Sequence, residues 1–347
     1  MTDTLITPDG QVRLGLFERP PADINGRDFD YRTPLGRPQS ALARHLHYKQ
    51  FQYFGVLADR VLAGCALAHT GYVGLAFVYV HDLATNTLTE RTLRLPLGRG
   101  LAMSRSPVEG ESRLAASGAG IRLGYRRHAD GSLLKTLQVR LHGRTPMTID
   151  AELPEPASYR SLPLCTRTGI NGWTFANKVA GLPVSGRISA AGQDYDLAGL
   201  GACGHHDFSA GYMRRETFWN WACLSGRVRT GGRERLLGLN LSCGVNETSF
   251  SENCLWLDGQ RVATGLTRFD YDARDPVGRP WQVRTADGSV DLAFRPAGAH
   301  TEKMNLLLFA TDFKQVFGHF HGTVMVGNET LAVAGLPGFV EEQYAKW

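Results

Sequence analysis

The sequence predicts an all-β protein made of two lipocalin-like antiparallel β-barrels or sandwiches packed side by side, with few short helices. Three observations carry this expectation. Short β-branched or aromatic runs bounded by turn residues recur along the whole chain. Asp-Gly occurs at Asp9-Gly10, Asp130-Gly131, Asp258-Gly259 and Asp287-Gly288, each pair able to supply the positive φ angles of a tight hairpin turn. No Gly-rich nucleotide fingerprint lies between a strand and a helix, which disfavours a Rossmann enzyme or a P-loop hydrolase. Gly 40 and Pro 16 in 347 residues, with only 20% charged residues, suit a turn-rich globular chain of two domains.

In chain order, strands are expected at Gln11–Phe17, Val61–His69, Tyr72–His81, Thr87–Leu95, Gly120–Arg126, Leu133–Leu141 and Met147–Leu153. The clearest hairpin runs from Trp281 to Thr285, turns at Asp287-Gly288 and returns through Val290 to Phe294. Only Gln39 to Phe51, with Ser40 as cap, has a helical pattern. About twenty strand candidates exceed one small barrel and fit two of eight to ten strands. Candidate domain boundaries are the Pro-rich Leu153-Pro154-Glu155-Pro156 and the irregular stretch Gly199 to Gly204.

The net charge of +5 is scattered, with no dense Lys/Arg run, so a nucleic-acid partner is not expected. The N-terminal residues lack the basic and long apolar regions of a secretion signal, which points to the cytoplasm. The apolar stretch Val61 to Val80 is broken at His69-Thr70-Gly71 and reads as two strands, so no transmembrane segment is expected. Cys65, Cys165, Cys203, Cys223, Cys243 and Cys254 form no C-x-x-C pair and read as free thiols, and the sequons at Asn246 and Asn328 carry no weight without secretion.

The densest polar and aromatic segment is Gly204-His205-His206-Asp207-Phe208-Ser209, followed by Thr217-Phe218-Trp219-Asn220-Trp221-Ala222. Strand alternation puts His205 and Asp207 on one face, His206 on the other, and Trp219 with Trp221 on a common face. A buried carboxyl beside an imidazole has a shifted pKa suited to acid–base work near neutral pH. Asp207 and His206 are therefore candidate catalytic groups. Glu252, in the polar loop Asn246 to Asn253, is the third. His205, Trp219, Asn220, Trp221 and Asn253 are candidate ligand contacts. His319 and His321 flank Phe320 and share a strand face, a spacing also found in barrel metal sites. They are taken as ligand contacts, and no metal is assigned. The same segments also admit a purely structural account, in which Asp207 caps a turn and the tryptophans fill a core.

The runs Tyr72-Val73-Gly74, Asn177-Lys178-Val179-Ala180-Gly181-Leu182-Pro183, His206-Asp207-Phe208, Trp219-Asn220-Trp221-Ala222, Glu252-Asn253, Pro280-Trp281 and Gln315-Val316-Phe317-Gly318-His319-Phe320 resemble the bacterial domain of unknown function 2804 family over nearly the whole chain. A more distant similarity joins Gly186, Tyr195, Gly201, His205-His206-Asp207-Phe208 and Trp219-Asn220-Trp221 to the carotenoid 1,2-hydratase-like, two-domain calycin proteins. In those proteins a Gly precedes Asp-His-Glu-Trp, and a Trp-x-Trp strand follows. His206 then matches the motif's His, Asp207 stands for its Glu, and Trp219 and Trp221 match the paired indoles; His205 replaces Asp and Phe208 replaces Trp. The resemblance implies a motif near the start of the second domain, facing the interface. It sets the boundary near residue 200, giving domains 1–200 and 201–347.

Three functions follow as expectations. The first is a hydratase, isomerase or cyclase that needs no cofactor and acts on a hydrophobic small molecule in an interdomain cleft. The second is a non-catalytic binder of a lipid or other hydrophobic ligand. The third is a carbohydrate-active protein using Asp207 and Glu252 as a carboxylate pair.

Overall fold

A computed structural model describes residues 3–245, 248–305 and 309–347. The chain folds almost entirely into antiparallel strands, with one α-helix, Ala41–His47, among the described residues. The strands make three sheets. The first has eight strands in the order Gly15–Leu16, Leu162–Arg167, Trp173–Pro183, Cys203–Tyr212, Lys49–Leu57, Val61–His69, Val73–Asp82 and Thr87–Pro96. The second has seven: Gln193–Asp196, Ser185–Ala190, Met147–Glu155, Leu133–Leu141, Ala119–Arg127, Gly110–Ala116 and Leu101–Ala102. The third has nine: Gln260–Ala263, Cys254–Leu257, Arg233–Cys243, Glu216–Thr230, Glu329–Lys346, Ala310–Val326, Val290–Asn305, Trp281–Thr285 and Thr267–Asp270.

Turn chemistry shaped these hairpins as the sequence indicates. Gly131, Gly259 and Gly288 each adopt positive φ where their Asp-Gly pairs join neighbouring strands. The helix is shorter than its expected span of Gln39 to Phe51. The Ser40 hydroxyl caps it by accepting from the Ala43 amide at 3.2 Å, but none of its residues is buried, so no apolar face extends it. Lys49 then opens a strand whose Phe51 and Tyr53 share one face. Pro154 lies inside the strand Met147–Glu155 and does not break it. It pairs with Leu134 on one side only, past the point where pairing to Ser185–Ala190 ends.

Two cores hold the molecule together. One lies between the first and second sheets, where Phe54 and Val56 meet Leu137, Val139, Ile149 and Leu153. The other lies inside the third sheet, which curls until Leu237 and Leu239 share a core with Trp281 and Phe320. The first sheet's remaining face packs on the third sheet, with Tyr79 against Phe317 at 4.5 Å and Tyr53 against Phe339 at 6.0 Å between ring centroids. The chain passes from the second sheet to the first between Asp196 and Cys203, and from the first to the third between Tyr212 and Glu216, Cys203–Tyr212 pairing on both sides inside the first sheet.

The two facing sheets are wedge-shaped in their separation. At one end backbone meets backbone: a Cβ on Gly238 would fall 2.4 Å from the Ala180 carbonyl carbon, and Gly181 has φ +73°. The Ser225 hydroxyl accepts from the Gly181 amide at 2.8 Å and donates to the Gly204 carbonyl at 3.2 Å, stitching the sheets at this contact. Toward Trp219 and Lys49 a cavity of about 200 Å³ opens between them. No helix among the described residues is long and apolar enough to cross a membrane.

Candidate active site in the cleft between the first and third sheets

Cross-strand registry assembles the inner end of this cavity. Lys178 and Asp207 are direct partners in the first sheet, and Trp221, Glu341 and Gln315 lie in one row of the third. Glu252 enters from the segment before Cys254–Leu257. The Lys178 ammonium donates to Asp207 Oδ2 at 3.0 Å and to Glu252 Oε1 at 3.1 Å, and it lies 4.7 Å from the Trp221 ring centroid. Ser209 Oγ donates to Asp207 Oδ1 at 3.0 Å. Glu341 accepts from Trp219 Nε1 at 2.8 Å and from Gln315 Nε2 at 3.2 Å. Lys178, Asp207, Glu252 and Glu341 are all buried.

Three carboxyl groups and one ammonium cannot all be charged in so dry a place without leaving net negative charge buried. Burial raises the Asp207 carboxyl, against the pull of Lys178 and with a further push from Glu252. Burial raises Glu341 further, to about 8, although Trp219, Lys178 and Gln315 oppose it. Glu341 is thus a neutral carboxylic acid at neutral pH. The Gln315 Oε1 atom has no partner among the described residues, and turning that amide over would let it accept the Glu341 proton. Asp207 and Glu252 hold the Lys178 ammonium above its usual range, in spite of its burial.

Away from this cluster most of the cavity wall is apolar, formed by Phe51, Phe77, Phe309, Phe313 and Trp219. The site therefore joins a greasy hollow to a proton-bearing acid and an ion-paired base. That combination can move a proton to or from an apolar molecule.

The structure brings together Asp207, Glu252, Trp219 and Trp221 from the residues expected on sequence grounds. His206 is not beside the Asp207 carboxylate. It points through the opposite face of its strand, bonded through Nε2 to the Tyr125 hydroxyl at 3.0 Å and edge-on to Phe54, inside the core between the first and second sheets. Burial keeps it well below the usual imidazole range, with Lys135 adding to the effect. His205 shares the face of Asp207 but lies deeper, against Tyr53, Trp221 and Phe339, where Gly55 leaves space for its ring. It is neutral, pushed down to about 3 by burial and then by Lys178.

Asn220 faces away from the two tryptophans and donates to the Tyr271 hydroxyl and the Glu341 carbonyl, both at 3.2 Å. Asn253 braces the turn behind Glu252, accepting from the Ser242 amide at 2.7 Å and donating to the Gly265 carbonyl at 3.3 Å. His319 and His321 lie outside the cavity, beyond Phe317 on their strand, and among the described residues no group of three or more His, Cys, Asp or Glu could hold a metal ion. Asn246 and Glu247 of the expected polar loop lie outside the described residues.

Lys178 and Glu341 were missed as site residues. Each carried a signal: Lys178 is the one charged residue in the strand Trp173–Pro183, and Glu341, Glu342 and Gln343 interrupt an otherwise apolar run from Leu336 to Val340. Asp207 and Glu252 do not flank an open gap of the kind a sugar needs, because the Lys178 ammonium fills the space between them.

Comparisons with known proteins bear on the chain as a whole. No curated protein matches its sequence. Among solved structures, the crystal structure of CghA has a TM-score of 0.47 and 13% identity, covering 86% of this chain and 88% of that one. A putative AttH from Nitrosomonas europaea has a TM-score of 0.46 and 13% identity, covering 85% and 91%. Kievitone hydratase from Nectria haematococca has a TM-score of 0.43 and 8% identity, covering 86% and 88%. A family model spans nearly every residue, from 2 to 347, and the chain belongs to the family it describes, Domain of unknown function (DUF2804).

Proposed function

We propose that the protein binds an apolar small molecule in the cleft and transfers protons on it without a cofactor, as a hydratase, isomerase or cyclase does. The observation that carries this reading is the neutral Glu341 acid next to the Lys178-held pair Asp207 and Glu252, at the closed end of an apolar cavity. Glu341 gives its proton to one carbon of a double bond, whose π pair becomes the new C–H bond. Asp207 or Glu252 then takes a proton, either from a water adding at the other carbon or from a neighbouring carbon. The first outcome is hydration and the second isomerisation. Trp219, which lines the cavity, meets the developing positive charge, whereas Lys178 already occupies the Trp221 ring. The buried free thiols of Cys65, Cys165, Cys203, Cys223 and Cys254 fit a reducing cytoplasmic setting.

The test uses diphenylhexatriene, a fluorescent apolar polyene. The wild-type protein is expected to bind it saturably at one site, and Trp219→Ala to weaken binding about tenfold, a loss of about 1.4 kcal/mol. Absence of saturable binding would end the cleft reading. Apolar compounds that copurify with the protein are then incubated with it in deuterated water. Deuterium entering carbon, lost in Glu341→Gln, is the expected sign of proton transfer; binding with no exchange would leave a carrier and no enzyme.

A further inference from the structure

The outer part of the same cleft contains a buried cation with no counter-charge among the described residues. Lys49 lines the cavity and is only 5% exposed. Its ammonium donates to the Leu46 carbonyl at 2.7 Å and the Thr70 carbonyl at 2.5 Å, and it lies 4.8 Å from the Tyr72 ring centroid. An ammonium has three N–H groups, so one remains for another acceptor. Among the described residues no carboxylate pairs with it. Burial brings its pKa down to about 7, and the charged group that adds to this is another cation, Arg215. Arg214 and His69 line the cavity nearby, and Glu302, the one acid there among the described residues, is held by Arg94 at 2.7 Å. A dry cation facing other cations is costly unless an anion joins it.

Strand registry sets the distance from this cation to the acid cluster. Lys49 pairs with Gly211 and Tyr53 with Asp207, and no bulge intervenes, so Lys49 and Asp207 share a face four residues apart. At about 3.3 Å per residue this is about 13 Å.

We propose that Lys49 receives the carboxylate head of the apolar molecule bound in the cleft, and that its body runs about 13 Å along the strand toward Asp207 and the acid cluster. This rests on the cleft reading above and adds a substrate class to it: an amphiphilic organic acid with an unsaturated apolar body. The Lys49 contacts to Leu46 and Thr70 fix the ammonium at the mouth, so the head is anchored while the body lies along Phe51 and Phe77 toward Asp207.

Displacement of diphenylhexatriene by dodecanoate and by dodecanol tests it, since the two share a body and differ in the head. The wild-type protein is expected to bind dodecanoate at least about tenfold more tightly, and Lys49→Met to remove most of that preference by weakening dodecanoate far more than dodecanol. Lys49→Gln replaces Lys49→Met if the latter does not fold. Equal binding of acid and alcohol by the wild type, or an undiminished preference in the folded variant, overturns the assignment while the cleft reading stands. Failure of both compounds and of diphenylhexatriene itself to bind overturns both.

Discussion

Replacing Lys178 by Met is expected to lower the unfolding free energy by about 3–5 kcal/mol at pH 8, the usual result of removing one partner from a buried ionic cluster. The side chain is buried between Asp207 and Glu252, and its loss leaves two carboxylates facing Glu341 in a medium that solvates none of them. The carboxyls can respond by taking up protons, so the defect should shrink as the pH falls. Asp207 is already raised by burial, which favours its protonated form. Denaturant titrations of wild type and Lys178→Met at pH 5 and pH 8 measure both effects. Neutralising the acids as well, in Lys178→Met with Asp207→Asn and Glu252→Gln, should recover much of the lost stability, because charge and not volume causes the defect. A loss below about 1 kcal/mol that is the same at both pH values would mean that the four groups do not act as one dry cluster.

The second large effect concerns the closed end of the wedge. Gly238→Ala is expected to cost about 3 kcal/mol or more, since its Cβ would lie 2.4 Å from the Ala180 carbonyl carbon and 2.6 Å from the Gly181 amide nitrogen. Neither neighbour is a flexible side-chain end. The backbone of one sheet must move away from the other, straining the Ser225 contacts that hold them. Gly120→Ala serves as the control, because nothing lies within 4 Å of a Cβ there and its φ is ordinary, so its effect should stay within about 0.5 kcal/mol. The same pair of variants reads out function: Gly238→Ala should also weaken diphenylhexatriene binding, as the cleft depends on how closely the sheets meet at its base. Similar stability for the two variants would show that the sheets are not held by that contact.

Much of the fold was legible in the sequence because its signals are local. Asp-Gly turns dictate hairpins through φ alone, and the Trp281–Thr285 hairpin formed as expected, its returning strand running on to Asn305. Sheet membership was harder to see. Cys203–Tyr212 follows a turn that resembles a domain boundary, yet it pairs with Lys49–Leu57, which lies about 150 residues earlier; nothing local encodes so distant a pairing.

The site divides along the same line. Alternation placed Asp207 with His205 and opposite His206, and it placed Trp219 with Trp221, because both follow from the pleat of one strand. Glu341 reaches the cluster from a strand over a hundred residues away, through its registry with Trp221. A carboxyl in isolation reads as solvated until its partners are known. His319 and His321 illustrate the reverse case: their shared face was legible, but the strand carries them past Phe317 and away from the cavity.

The central claim is that a neutral carboxylic acid faces the apolar cleft at neutral pH. Infrared spectroscopy of the carboxyl C=O stretch, comparing wild type with Glu341→Gln across a pH titration, tests it most directly. A protonated-carboxyl band present at pH 7, absent in the variant and fading as the pH rises through about 8, is the expected result. A wild-type spectrum at pH 7 with no such band beyond that of Glu341→Gln would contradict the claim, since Glu341 would then already be ionised and have no proton to give.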